Sequence, residues 1–280
     1  IPAVGSMQSG FASMMTVNRM YAEKNKILFI DPGFPVHKQQ LQVLGMKWES
    51  FDVYEYRGEK LKSKLESYLE KGNISAILYS NPNNPSWICF TENELKIIAE
   101  LADKYNVVVL EDLAYFAMDF RKDLSKPGQP PYQPTVARYT KNFVLMISGS
   151  KTFSYAGQRI GVMIISEKLF NTQAQDLKRF YSSDRFGHAI VFGSLYPLSA
   201  GTSHAAQYAF AAMLKAANDG EFDFVESIKL LYYGISAISL LITGSERSEG
   251  IRACVSLIRR NQFPVLEQRL KKFNEHYSKL

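Results

Sequence analysis

Five short runs most constrain what this chain can become: Ile27-Leu28-Phe29-Ile30, Ile74 to Tyr79, Val107-Val108-Val109-Leu110, Phe143 to Ile147 and Gly161 to Ile165. Several are apolar at successive positions instead of alternate ones, so as strands they need cover on both faces. Helical periodicity fills the gaps, with helices expected over 8–24, 36–45, 58–71, 166–182 and 204–217. The best marked helix opens at Thr91, where Glu94 completes a capping box and Leu95, Ile98, Ala102 and Tyr105 form the buried stripe. Strands alternating with helices predict an α/β fold, a mainly parallel sheet with helices on both faces.

With 280 residues, 46% of them hydrophobic, the chain can bury a large core. We expect a large domain over 1–217 and a smaller α+β C-terminal domain over 218–280, divided at the polar Asn218-Asp219-Gly220-Glu221. The smaller domain ends in a helix with Pro264 at its start and Leu266, Leu270, Phe273 and Tyr277 at helical spacing. Residues 121–138, rich in Pro, Lys and Gly, read as a long surface loop of the kind that borders a site.

Composition argues against several partners. The 33 basic and 27 acidic residues leave a net +6, but the signs are interspersed, and the densest basic stretch, Arg269 to Lys272, carries three charges. A nucleic-acid footprint needs a clustered basic face, so no nucleic acid is expected. The longest apolar run, Leu230 to Ile242, is too short to span a bilayer, so no membrane is expected either. Cys89 and Cys254 give no disulfide framework and fit a cytoplasmic protein. The four histidines, His37, His188, His204 and His276, are scattered without metal-ligand spacing. The chain starts Ile1-Pro2, without an initiator Met, so an N-terminal part is expected to be missing.

Polar residues cluster where the apolar runs end. Ser148-Gly149-Ser150-Lys151 follows one run, and Arg159 stands eight residues after Lys151 in Gly157-Gln158-Arg159-Ile160-Gly161. An amine there can form a Schiff base with an aldehyde, while Ser148, Ser150 and Arg159 can hold the phosphate of the same ligand. Taken singly, a lysine is a surface residue and an arginine a salt-bridge partner. Glu111-Asp112-Leu113-Ala114-Tyr115 puts a carboxylate where open α/β sheets bind ligands, though either acid could instead cap a helix. Turn chemistry explains most of Ser80-Asn81-Pro82-Asn83-Asn84-Pro85-Ser86 at the end of another run. Gly5-Ser6-Met7-Gln8-Ser9-Gly10 precedes a helix whose N-terminal amides can bind phosphate, yet it is neither a Walker loop nor a dinucleotide fingerprint.

Together these four segments resemble the fold-type I pyridoxal-phosphate enzymes, specifically the class I/II aminotransferase family, well over about residues 1–215 and more loosely beyond. The resemblance implies pyridoxal 5'-phosphate as cofactor, with Lys151, Asp112 and Tyr115 as the catalytic set. Lys151 matches the Schiff-base lysine, and Asp112 the carboxylate that keeps the pyridine nitrogen protonated. Tyr115 and Asn84 match the pair that hydrogen-bonds the phenolic oxygen, with Asn84 also close to substrate. Ser6 and Met7 (through backbone amides), Ser148, Ser150 and Arg159 match the phosphate cup, and Phe34 in Pro32-Gly33-Phe34 the aromatic that stacks on the ring. Near the end, the turn Gly244 to Gly250 and Ile251-Arg252-Ala253-Cys254 are similar to the family's last turn and strand, which makes Arg252, ahead of Arg247, the clamp for the substrate α-carboxylate.

The implied reaction moves the amino group of an α-amino acid to a 2-oxo acid, in a homodimer. A β-lyase, decarboxylase or racemase-like reaction would use the same lysine and aspartate, and a binding or regulatory relative would keep the fold without turnover. Three departures from the family stand out. Its Thr-Gly after Asn-Pro is here Ser86-Trp87, the portion preceding the phosphate cup is missing, and the short distance from Lys151 to Arg252 places a gap near Glu226–Lys229.

Overall fold

The computed structural model describes residues 1–119, 121–124 and 126–225, the backbone of 236–239 and 251–254, and Pro264, Glu267, Gln268 and Lys271. Seven strands form one sheet: β1 (Pro2–Ala3), β2 (Lys26–Asp31), β3 (Lys47–Asp52), β4 (Ile74–Ser80), β5 (Val108–Leu113), β6 (Phe143–Ser148) and β7 (Gly161–Ile165). Their order across the sheet is β1-β7-β6-β5-β4-β2-β3. Strands β2 to β6 pair in parallel, and β7 runs antiparallel between β6 and β1. The five runs that read as strands in the sequence are five of these seven. A separate antiparallel pair joins β8 (Ser236–Ser239) and β9 (Ile251–Cys254).

Strand side chains alternate between faces, and the core divides accordingly. Ile27, Phe29, Leu78, Leu110, Val144 and Met146 join one cluster, while Leu28, Ile30, Ile77, Tyr79, Val109 and Leu145 join another. The first face is covered by α1 (Gly5–Val17), which contributes Ala12, Met14 and Val17. Beside α1, against the end strand β3, lies α2 (Val36–Val43), anchored by Leu41. The second face is covered by α3 (Lys60–Leu69), through Leu61, Leu65 and Leu69, and by α4 (Glu92–Lys104), through Leu95, Ile98 and Leu101. Each Leu-sized side chain removed from water contributes about 2 kcal/mol, and every residue of β4 is buried, as expected for a strand covered on both faces. Then follow α5 (Glu167–Phe170), α6 (Phe186–Ile190), α7 (Tyr196–Ser199) and α8 (His204–Asn218). Among the described residues no helix is long and apolar enough to cross a membrane.

Two expected helices differ. The one over 8–24 starts earlier, at Gly5, and stops at Val17, where the amides of Arg19 and Met20 turn back to the carbonyls of Thr16 and Val17. The one over 166–182 breaks after Phe170. There the carbonyl of Thr172 accepts from Phe186 N–H at 2.9 Å and Ala174 N–H donates to Asp184 at 2.8 Å, so the chain pairs with its own return and leaves a single turn over Gln175–Arg179.

The capping box at Thr91 forms as the sequence predicts: Glu94 N–H donates to Thr91 Oγ1 at 3.2 Å, and Thr91 N–H to Glu94 Oε2 at 2.8 Å. Glu94 also receives Arg57 Nε at 2.6 Å, Arg57 Nη2 at 2.8 Å and Gly58 N–H at 2.9 Å. Burial alone would push this carboxyl up, but the guanidinium and the amides outweigh it and hold it at about 2. A depressed acid stabilises the fold above its ordinary pKa of 4.5 and loses that contribution as the pH falls toward about 2. Glu94→Gln should therefore lower stability at pH 7 by about 2 kcal/mol. In thermal melts the gap from the parent protein should close between about pH 4.5 and 2; a gap constant across that range would exclude the ion pair as its source.

Candidate functional site

The carboxyl ends of β2, β4, β5 and β6, the start of β7 and the N-terminus of α1 all meet at one edge of the sheet, because the first four strands are parallel and β7 is reversed. Open α/β sheets bind ligands at that edge. Ala3 on β1 pairs with Gly161, and Gly161 pairs with Ser148. This register brings Gly5-Ser6-Met7, Ser148-Gly149-Ser150 and Arg159 to the same place.

These segments approach as closely as backbone permits. A Cβ on Gly161 would lie 2.6 Å from the Ile147 carbonyl oxygen and 3.1 Å from Gly5 Cα. Gly5 has φ +73°, and a Cβ there would lie 2.8 Å from Arg159 Nη2. Two glycines thus let the guanidinium reach the first turn of α1. Arg159 itself has φ 53°, its Nη1 donates to the Ala156 carbonyl at 2.7 Å, and it lies 3.4 Å from Ser150 Oγ. Ser150 N–H donates to Ser148 Oγ at 3.1 Å, and Val4, the N-cap of α1, offers no side-chain cap to the helix amides. Unbonded helix amides, two hydroxyls and a guanidinium around one cradle suit an anion with several oxygens.

The choice between Glu111 and Asp112 is decided by strand parity. Neither caps a helix: both lie within β5, on opposite faces. Glu111 is fully buried on the α4 side, where Thr135 Oγ1 donates to it at 2.5 Å, Val136 N–H at 3.0 Å and Asn81 Nδ2 at 3.2 Å. Burial pushes its carboxyl up to about 7 despite those donors, and it serves to hold the long loop ending at Thr135. Asp112 faces α1 and α2. Its Oδ1 accepts from Ala114 N–H at 3.0 Å, and its Oδ2 lies 3.3 Å from His37 Nε2. His37 Nδ1 lies 3.3 Å from Gln40 Oε1, and Gln40 Nε2 donates to the Met7 carbonyl at 3.0 Å. A polar chain, buried at its Asp112–His37 end, thus links Asp112 to the first turn of α1. Gly10 makes room for it, since a Cβ there would lie 2.9 Å from His37 Cε1.

Sequence reading missed His37, which looked like one of four scattered histidines. The available signal was its position three residues after Phe34 in the first turn of a helix, a spacing that turns both rings to one side. The rings sit edge-to-face with centroids 6.0 Å apart. Phe34 is half-buried at this edge.

Lys151 is exposed, with its Nζ 5.9 Å from the centroid of the buried Tyr115 ring. Thr152 Oγ1 donates to the Phe116 carbonyl at 2.5 Å and ties the two loops together. Asn84 is half-buried in the loop after β4, where its N–H donates to Ser80 Oγ at 3.2 Å. Asn83, also missed, holds that loop: its Nδ2 donates to the Pro32 carbonyl at 2.8 Å, and its Oδ1 accepts from Ser86 Oγ at 2.7 Å. Arg252 lies on β9 opposite Ile238, but its side chain lies outside the described residues, as does Arg247. All the other sequence-predicted residues come to the one edge.

The family model for class I and II aminotransferases matches residues 6–221. This chain belongs to that family. It is 22% identical over 231 residues to a probable aspartate aminotransferase of Methanocaldococcus jannaschii, covering 81% of this chain and 56% of that protein. The aspartate aminotransferase of Sulfolobus acidocaldarius is 22% identical over 166 residues, 56% of this chain and 38% of that one. The fold matches a single mutant of Thermus thermophilus aspartate aminotransferase with TM-score 0.62 at 16% identity, covering 85% of this chain and 58% of that one. The chain therefore spans about half the length of these aminotransferase relatives, or less.

For the class I/II aminotransferase family the expected cofactor is pyridoxal phosphate, and the residues present fit it. The cradle that a Cβ on Gly5 would fill has the donors that a phosphate needs, and a held carboxylate, Asp112, stands one strand away from the lysine loop. Gly5→Ala should raise the dissociation constant for pyridoxal phosphate on the order of tenfold or more, because the new methyl meets Arg159. Gly45, at φ +65° with open space around it, supplies the control: Gly45→Ala carries similar backbone strain without the clash. Equal binding by both variants in a fluorescence titration would remove the cradle from consideration.

Proposed function

We propose that this chain carries the cofactor site of an aminotransferase that moves the amino group of an α-amino acid to a 2-oxo acid. The observation that carries this reading is the convergence of Lys151, Asp112 and Arg159 on one edge of the sheet, Asp112 from the end of β5 and the other two from the connection between β6 and β7. Bound pyridoxal phosphate supplies an aldehyde carbon for the substrate amine and a pyridinium ring that takes up the electron pair left at Cα.

The chain's own residues do the rest. Arg159, Ser148, Ser150 and the amides of Ser6 and Met7 bind the phosphate and fix the ring's position. Asp112, held by Ala114 N–H and His37, keeps the ring nitrogen protonated, since a buried carboxylate favours a positive partner. Tyr115 and Asn84 would hydrogen-bond the phenolic oxygen, and Phe34 would cover a ring face. Lys151 Nζ binds the aldehyde at rest. Freed for proton transfer, it would take the substrate Cα proton as general base and return it as general acid. Arg252 is the residue we assign to the substrate α-carboxylate, a group that a guanidinium binds at two oxygens. We take the protein to be a cytoplasmic homodimer, with residues 1–217 as the cofactor domain and 218–280 in a smaller one.

Lys151→Ala should cut turnover at least about a thousandfold and abolish the visible absorbance that pyridoxal phosphate gains on binding. Asp112→Asn should keep phosphate-dependent cofactor binding while losing turnover by about a hundredfold or more. Normal rates in the lysine variant would sink the assignment. Ammonia and a 2-oxo acid formed without any acceptor would replace transfer with lyase chemistry.

A further inference from the structure

The loop after β4 contains a backbone outlier with a large side chain. Trp87 has φ 59°, a region that a residue with a Cβ occupies at a cost and that a surrounding structure must impose. Here it is imposed from both sides: Trp87 N–H donates to the Asn83 carbonyl at 2.9 Å, Asn83 N–H to the Ile88 carbonyl at 2.8 Å, and Ser86 N–H to Asn83 Oδ1 at 3.1 Å. Such a position would be relaxed by glycine. A tryptophan kept there puts its ring to use, and the geometry shows where. The indole meets Tyr115 edge-to-face, centroids 5.4 Å apart and planes at 72°, and Lys151 Nζ lies 5.9 Å from the same Tyr115 ring. Trp87 nonetheless stays 39% exposed, so Tyr115 does not cover all of it.

Resting on the aminotransferase reading above, we infer that Trp87 is a specificity-determining wall that selects donors with an aromatic or large apolar side chain over acidic ones. A ring beside Trp87 and Tyr115 gains edge-to-face contact, whereas a carboxylate pressed against an indole loses water with no cation in return. Arg121, which lies near Cys89 two residues along from Trp87, does not supply that cation: its Nε and Nη2 both bind Asp119, at 2.8 and 2.9 Å. Lys151 is committed to the reaction itself.

The test uses the holoenzyme and the half-reaction with donor alone, followed at the cofactor's absorbance, so that no acceptor must be guessed. Phenylalanine should react with a higher rate constant over Kd than aspartate. Trp87→Gly, which relieves the left-handed strain and so should fold, is expected to lose about tenfold or more for phenylalanine but less than about threefold for alanine; Trp87→Phe should keep most of the phenylalanine rate. Equal losses for phenylalanine and alanine would overturn the proposal.

A binding readout stands apart from turnover. The chain has two tryptophans, and Trp48 sits on β3 opposite Ile27, at the other end of the strands. In Trp48→Phe the sole indole is Trp87, whose emission 3-phenylpropionate should perturb saturably and succinate should not. Perturbation by succinate at equal or lower concentration would also overturn the wall. If pyridoxal phosphate binds yet alanine and phenylalanine both fail to react, the aminotransferase reading falls, and the emission result still decides what Trp87 faces.

Discussion

Burial of the central strands on both faces is the constraint from which the site follows. Strands β4, β5 and β6 have nearly no room for polar side chains along their length, because α1 packs on one side and α3 and α4 on the other. Polar chemistry is therefore pushed to the strand ends, and parallel pairing puts those ends at a common edge. The exceptions prove informative. Glu111 and Asp112 both remain in a buried strand, and each is affordable only because its oxygens are met: the first by Thr135, Val136 and Asn81, the second by Ala114 and His37. One holds a loop in place and the other aims at the open edge. A one-residue slip of β5 would exchange them and bury the wrong carboxylate at the site.

The phosphate cradle depends on the reversed strand in the same way. Because β7 runs antiparallel to β6, the chain leaving Lys151 returns past Arg159 to the point where it began, with Gly149 N–H bonded to the Ile160 carbonyl at 3.0 Å. The two-residue strand β1 then lays the start of α1 against Gly161. Close approach at Gly5 and Gly161 shapes the cradle, since a methyl on Gly161 would meet the backbone of Ile147 and Gly5, and one on Gly5 would displace the Arg159 guanidinium. The chain Asp112–His37–Gln40–Met7 couples this cradle to the end of β5 through α2.

How much of this was legible in the sequence depended on whether a signal was local. Apolar runs and the Thr91–Glu94 box are local, and the corresponding strands and helix cap are where they were expected. Strand β3 escaped notice because Lys47-Trp48-Glu49-Ser50 lies at the sheet edge, mostly exposed, and need not be apolar. The break after Phe170 escaped because it comes from backbone pairing with residues beyond Asp184. Lys151, Asp112 and Arg159 were legible through motif spacing, but their common edge is a product of strand order. His37 shows the limit most clearly: nothing beside it in sequence reveals that a carboxylate 75 residues away lies 3.3 Å from its ring.

Backbone strain follows the same map. Among the described residues six non-glycine residues have positive φ, and four of them, Trp87, Ala117, Ser154 and Arg159, lie in the loops that leave β4, β5 and β6 or lead into β7. Asn106 is a residue type that tolerates this region, and Ala200 ends a helix. Each strained residue costs on the order of 1 kcal/mol or more, and such costs persist only where neighbours fix the backbone. At Arg159 the strain turns a guanidinium toward the first turn of α1, and at Trp87 it turns an indole onto Tyr115. The rigid sheet beneath makes this possible: the loops are pinned at strand ends that cannot relax, so the strain is spent on aiming side chains across the opening that they share.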